Sequence, residues 1–275
     1  LAGSGAIGEQ MSADPRVDIV SFTGSVPVGS AIMAAASKNV TKVNLELGGK
    51  APAIVLDDAD LDLAVASIKA SRVINTGQVC NCAERVYVTR GVADEFISRM
   101  TEAIASTTYG DPSVDKGLDM GALIDANAAN RIGAMVDASV AQGATVLTGG
   151  KVADRGQGHH FQPTVLTDVT QDMPVIRDEI FGPVLPIMVV DDFDEAIQKA
   201  NDSEYGLTSS LYTASLANAM KGMREIDFGE TYINRENFEA MQGFHAGTRK
   251  SGVGGADGPL GVEEFTRTQM IYVEA

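Results

Sequence analysis

The chain has 275 residues, 37 acidic against 21 basic side chains, a formal charge of −16, two cysteines, three histidines and no tryptophan. With its basic residues unclustered, this balance argues against nucleic acid or an anionic membrane surface as a partner. No apolar run approaches the roughly 20 residues that a membrane-spanning helix needs, and the length suits two modest domains.

Cys80 and Cys82 are one residue apart, a spacing that does not readily satisfy disulfide geometry. Free thiols fit a reducing compartment, so the expected location is the cytoplasm. The chain opens on Leu1 with residues that read as the inside of a domain, and it is therefore read as a C-terminal fragment. No secretory leader, internal repeat or low-complexity tract is visible.

The opening Gly3-Ser-Gly5-Ala-Ile-Gly8 reads as a glycine-rich turn leading into a helix. Val17 to Phe22 is short and β-branched, a strand. After Thr23-Gly24-Ser25 the spacing predicts a helix, alanine-rich from Ser30 to Lys38, with Pro27 in its first turn. At such a junction Gly24 lets backbone approach a ligand, and the first helical amides suit an anion such as a pyrophosphate. The same residues equally describe an ordinary strand-to-helix turn with Ser25 as the N-cap. Lys42 to Leu47 alternates as a strand. Glu46, late in that strand between apolar neighbours, is either a buried carboxylate with a base-like pKa or a solvent-facing edge residue.

Ala51 to Leu56 is a further strand, and the helix from Leu61 carries Ala64, Val65 and Ile68 on one face. Asp57-Asp58-Ala59-Asp60 is read as helix capping and not as a metal site. That helix ends in Asn75-Thr-Gly-Gln-Val-Cys80-Asn81-Cys82-Ala-Glu-Arg85, from which the strand Val86 to Thr89 departs. A cysteine delivered by a loop between rigid elements suits a nucleophile, although free cysteine is also commonly a small buried hydrophobe. Beyond Arg90 the pattern alternates helices at 94–107, 127–142, 192–201 and 216–226 with strands at 144–147, 164–166, 184–190, 208–212 and 231–234, which is an α/β arrangement. His159 and His160 are adjacent in a loop, provide no tetrahedral set and are read as exposed, so no metal is expected. Glu179 and Phe181, two apart, would share a face of an extended segment and could hold a sugar hydroxyl and a flat base, or else form a strand-entry turn with Phe181 in the core. Residues 237–261 are glycine-rich and irregular, and Met270 to Val273 reads as a terminal strand.

Five stretches in order, Phe22-Thr-Gly-Ser25, Leu45-Glu-Leu-Gly-Gly-Lys50, Gly77-Gln-Val-Cys80, Glu179-Ile-Phe-Gly-Pro183 and Ile233-Asn234, resemble the aldehyde dehydrogenase superfamily. The wording of 75–85 and 229–247 is similar to its lactaldehyde/glycolaldehyde branch. The resemblance covers the whole chain but only the C-terminal part of the family's length. It implies the remnant of a Rossmann-like cofactor-binding domain at 1–47, an α/β catalytic domain at 48–247, and a C-terminal segment at 248–275 with an oligomerisation strand. It implies Cys80 as nucleophile and Glu46 as general base, with the Cys80 amide contributing to an oxyanion hole. Gly24, Ser25, Gly29, Leu47, Glu179 and Phe181 would contact NAD, with NADP left open because the region that discriminates them lies upstream. Asn81, Glu239 and His245 would meet the substrate, a small hydroxyaldehyde oxidised to the acid through a Cys80 thioester, in an enzyme that is homo-oligomeric at full length. Cys82 is left as a pocket or core residue. One departure is Ala246-Gly-Thr-Arg249-Lys-Ser-Gly252, where Arg249 stands in for a family lysine. Rival readings are a CoA-acylating enzyme, a non-catalytic binding or oligomerising module, and a cysteine hydrolase; for the last no histidine is placed by sequence to partner the thiol.

Overall fold

The computed structural model describes residues 3, 5–236 and 240–275. The chain divides into two compact units, Gly49–Asn237 and Leu1–Gly48 with Phe238–Ala275.

The larger unit is built on a seven-stranded sheet in the order Glu230–Ile233, Thr208–Tyr212, Ala51–Val55, Ala83–Thr89, Val184–Val190, Thr164–Thr167, Thr145–Thr148. The first six are mutually parallel, and Thr145–Thr148 closes the edge antiparallel to Thr164–Thr167. Ala51–Val55 and Val184–Val190 read as continuous apolar runs because both faces are covered. Ala53, Val55, Val86 and Val88 face one way and pack with Ala64 and Ile68 of the helix Leu61–Val73 and with Phe96, Met100 and Ile104 of Ala93–Ala105. Ile54, Leu56 and Tyr87 face the other way, against Ile132 and Val136 of Ala126–Ala141 and Ile197 of Phe193–Asn201. Period-two strands and period-3.6 helices thus share two dry layers. Asp60 caps Leu61–Val73 by accepting from the Leu63 amide at 3.1 Å, Asp57 accepts from Thr89 Oγ1 at 2.5 Å, and Asp58 from Thr213 Oγ1 at 2.8 Å. The acidic run therefore ends strands and starts a helix.

In the smaller unit, Ile19–Thr23 and Lys42–Glu46 are parallel, and Gly252–Val253 joins Lys42–Glu46 antiparallel. Lys42–Glu46 is consequently the central strand, not an edge. Residues 240–247 group with this unit, where sequence had placed them in the catalytic segment. His245 and Ala256 exchange backbone hydrogen bonds of 2.9 and 2.7 Å, which hold this stretch beside the strand Gly252–Val253. Gly5 and Gly8 lie within the helix Gly5–Ser12 instead of in a turn before it.

Two further expectations change. His160 is 1% exposed, not a surface residue: it opens the short strand His160–Phe161, and its Nε2 lies 3.0 Å from Gln157 O. Met270, Ile271, Tyr272 and Val273 form no strand and are 71–89% exposed, because no strand among the described residues pairs with them.

Ile68 is fully buried where the helix Leu61–Val73 meets the sheet. Ile68→Ala is expected to cost about 2–5 kcal/mol of unfolding free energy in urea titration, and a loss under ~1 kcal/mol would contradict this packing.

Candidate active site

In a parallel sheet ligands usually bind beyond the carboxyl ends of the strands. Three of the sequence motifs of the larger unit gather at the opposite, amino-terminal end, whereas Ile233-Asn234 falls at the carboxyl end of Glu230–Ile233. Gly49 and Lys50 precede Ala51–Val55, Cys80 to Cys82 precede Ala83–Thr89, and Glu179 to Pro183 precede Val184–Val190.

The Cys80 loop begins where Leu61–Val73 ends. Asn75 and Thr76 take left-handed conformations (φ 45° and 61°), followed by Gly77 at φ 73°. Non-glycine residues pay for such backbone, and it persists only where surroundings hold it. Here Gln78 Nε2 donates to Asn75 O at 3.1 Å, and Arg72 Nη2 donates to Gly77 O at 2.6 Å. Cys80 lands half-buried in the following turn. Its carbonyl lies so close to Gly49 that a Cβ there would sit 2.1 Å from Cys80 O. Cys82 is fully buried: its Sγ lies 2.9 Å from Val79 O and 3.0 Å from Arg72 Nη2. Burial pushes the Cys82 thiol up to about 12, against the pull of the Arg72 charge. The two thiols are thus differentiated, Cys82 being a core group and Cys80 a reachable one. Asn81 is 6% exposed, and its carbonyl accepts from Thr208 Oγ1 at 3.0 Å.

Glu179 accepts from the Gly49 amide through Oε1 at 2.8 Å. Burial, then the nearby Glu84 charge, raise its pKa to about 7, with the Gly49 amide, Lys50 and Arg131 opposing. Phe181 does not continue an extended segment. Its φ is 50°, so the two-residue alternation that would align it with Glu179 fails, and its ring is 36% exposed instead of lying in the core. Arg131 donates to Glu179 O (3.3 Å) and Ile180 O (2.8 Å), fixing the carbonyl side of this segment.

A buried ionic cluster underlies both loops. Glu84, 1% exposed, accepts from Lys50 Nζ, Arg72 Nη1 and Ile180 N at 2.8 Å each and from Phe181 N at 3.1 Å. Burial alone would raise its pKa, but Lys50, Arg72 and the amide donors hold it below the ordinary value. Burial lowers the Lys50 pKa to about 8 against the attraction of Glu84. Sequence reading missed this cluster, although a signal existed: Ala64, Ile68 and Arg72 are four apart, which puts Arg72 on the buried face of its helix.

In the smaller unit the candidates lie at the carboxyl ends of strands. Gly24 and exposed Ser25 follow Ile19–Thr23, and Leu47 follows Lys42–Glu46. Ser25 is the N-cap of Val26–Ala36 but makes no side-chain capping bond. The Gly24 amide donates to Glu46 O at 3.0 Å and the Gly29 amide to Ser25 O at 3.0 Å, so neither is available to an anion. Gly29 instead permits close packing, since a Cβ there would meet Leu47 Cδ2 at 2.6 Å. The Glu46 side chain is 13% exposed, with His245 Nε2 3.8 Å from its Oε2. The structure thereby brings together two residues that were singled out separately, and the solvent-facing alternative for Glu46 falls. Glu239 lies outside the described residues.

Because Glu179 holds a proton more tightly in the fold than in the unfolded chain, its contribution to stability is full below the ordinary carboxylate pKa and is lost as pH rises through about 7. Thermal melts should therefore shift in favour of Glu179→Gln over wild type between about pH 5 and pH 8. A difference in Tm that does not change with pH would contradict that environment for Glu179.

The aldehyde dehydrogenase family model matches residues 1–271. The chain is 55% identical over 269 residues to the lactaldehyde dehydrogenase of Escherichia coli, covering 98% of this chain and 56% of that protein. It superposes on a crystal structure of the same E. coli enzyme with a TM-score of 0.98, covering 100% of this chain and 58% of that one. A structure of 3,6-anhydro-L-galactose dehydrogenase in complex with NAP gives 0.93 at 43% identity, covering 96% and 56%. Betaine aldehyde dehydrogenase from Staphylococcus aureus in complex with NAD+ gives 0.92 at 35%, covering 96% and 53%. The chain thus spans about half the length of these relatives. On sequence and fold alike, it belongs to the aldehyde dehydrogenase family.

Proposed function

We propose that the protein carrying this chain oxidises a small hydroxyaldehyde to its carboxylic acid with a nicotinamide dinucleotide, through a thioester on Cys80. The observation that carries the reading is the differentiation of the two thiols. Cys80 is half-buried at a loop pinned to rigid elements, whereas Cys82 is sealed in the core with its thiol pushed up to about 12. A nucleophile must be both held and reachable.

The residues present fit a dinucleotide. Ser25 is an exposed hydroxyl at a strand-to-helix junction with no capping duty, Glu179 is a half-buried carboxylate with acceptor capacity for ribose hydroxyls, and the Phe181 ring is partly exposed beside it in sequence. The relatives in complex with NAD+ and NAP support this assignment and leave the choice between the two open. When bound, the cofactor accepts the hydride. The chain's own groups do the rest. The Cys80 sulfur forms a bond to the aldehyde carbon, and backbone amides around it stabilise the resulting oxyanion. Loss of hydride from that carbon leaves an acyl group on Cys80. Glu46 then takes a proton from water, the water oxygen displaces the sulfur, and the acid leaves with the Cys80 thiolate restored and the proton passing from Glu46 to solvent. Asn81 and His245, with Glu239, are assigned to the substrate's hydroxyl. A site that pairs a hydroxyl rejects analogues lacking one. A cytoplasmic, homo-oligomeric protein, with the exposed Met270–Val273 segment pairing against a second copy, completes the reading.

The test is turnover of lactaldehyde and hexanal by the protein expressed from its complete reading frame, followed as NADH. Cys80→Ser is expected to abolish NADH formation, and Glu46→Gln to leave a burst of about one equivalent per site followed by a stall. Lactaldehyde should be preferred over hexanal by at least about tenfold in kcat/KM. Wild-type turnover in Cys80→Ser, or equal efficiency on the two aldehydes, would overturn the corresponding assignment.

A further inference from the structure

The strand Ala83–Thr89 carries Glu84 and Arg85 at consecutive positions, both buried because the sheet is covered on both faces. Glu84 meets Arg72 of Leu61–Val73, and Arg85 donates to Lys199 O and Ala200 O of Phe193–Asn201 on the other side. The ladder is irregular here: Ala51 pairs with Ala83 and Pro52 with Arg85, so Glu84 is an extra residue bulged out of it. Bulges in parallel pairs are rare, and they characteristically re-aim a side chain beside a functional site. This one turns the Glu84 carboxylate toward the loops at the amino-terminal edge of the sheet.

Four donors converge on the two oxygens. Oε2 receives Lys50 Nζ and Ile180 N, and Oε1 receives Arg72 Nη1 and Phe181 N. The two amides belong to the residues following Glu179. Arg72 uses its other nitrogen to hold Gly77 O, three residues before Cys80, and Nη1 also reaches Ala83 O at 2.8 Å. Lys50 follows Gly49, whose amide holds Glu179. The two amide bonds, and the fork through Arg72, connect segments about a hundred residues apart in the chain.

We propose that Glu84 is a positioning residue: its carboxylate clamps the Glu179–Phe181 segment directly and the Cys80 loop through Arg72, so that one buried group sets the geometry of both. Its importance for catalysis rests on the proposed function, but the clamp itself does not. Glutamine at 84 keeps the shape and one acceptor oxygen, and sets an amide donor against one of the two donor pairs, Lys50 with Ile180 N or Arg72 with Phe181 N. Lysine at 72 keeps the charge but not the planar fork, so one ammonium cannot serve Glu84, Gly77 O and Ala83 O in the same geometry.

The experiment is amide hydrogen exchange by mass spectrometry, together with the iodoacetamide alkylation rate of Cys80, on wild type, Glu84→Gln and Arg72→Lys. In Glu84→Gln, exchange at Ile180 or Phe181, whichever faces the new amide nitrogen, should accelerate roughly tenfold or more while 86–88 and 185–189 stay protected. The Cys80 alkylation rate should change by about threefold or more. In Arg72→Lys only the Cys80 rate should move. Unchanged exchange and alkylation in Glu84→Gln, or an acceleration spread evenly over 86–88 and 185–189, overturns the proposal. If Glu84→Gln does not fold, Arg72→Lys decides, and an unaltered Cys80 rate overturns it. None of these readings requires NADH to be formed, so they stand or fall apart from the activity.

Discussion

A carboxylate with four donors, sealed at the rim of a parallel sheet, is the constraint on which this site depends. Taking Glu84, Lys50 and Arg72 out of water is costly unless every lone pair and proton is matched. Lys50, Arg72, Ile180 N and Phe181 N supply four donors to the two Glu84 oxygens beside the bulge in Ala83–Thr89, while Arg72 Nε stays buried without an acceptor. The left-handed backbone at Asn75, Thr76 and Phe181 lies within or next to segments that this cluster anchors. Local strain in the loops and global packing of the sheet are thereby coupled through one side chain.

Where candidate residues sit within each unit follows from how its strands end. Helix-covered strands supply two dry faces, and polar chemistry is confined to the ends where the backbone turns. In the larger unit the amino-terminal ends carry it, with Gly49 tight against the Cys80 carbonyl and Glu179 hydrogen-bonded to the Gly49 amide. In the smaller unit the carboxyl ends carry it, with Ser25 beyond Ile19–Thr23 and Glu46 closing Lys42–Glu46. At the opposite, carboxyl end of the larger unit's sheet, Asn234 at φ 54° locks the turn after Tyr212: its side chain accepts from Thr213 N and donates to Thr213 O, at 3.0 and 2.9 Å.

Much of the α/β alternation was legible, because apolar runs such as Val184–Val190 and helices such as Ala126–Ala141 have strong periodicity. The Cys80 loop was legible too, since residue type and turn signals fall within one short stretch. What was hidden depends on contacts between distant segments. His160 looked like a loop residue until a short strand and Gln157 O buried it. Phe181 looked extended because a left-handed residue leaves no pattern in a single sequence. Glu84 reads in sequence only as part of the loop ending at Arg85, since a bulge is a property of two strands and sequence shows one at a time. Met270 to Val273 has strand composition, but composition supplies no partner for the ladder.

The central claim is that the reacting carbon is bonded to one sulfur, that of Cys80, before water releases it. The most direct measurement is peptide mapping by mass spectrometry of the protein quenched in acid during turnover of a hydroxyaldehyde. The account predicts an acyl mass increment on the peptide containing Cys80, localised to that residue and not to Cys82. An increment elsewhere, or none under conditions where NADH accumulates, would contradict it.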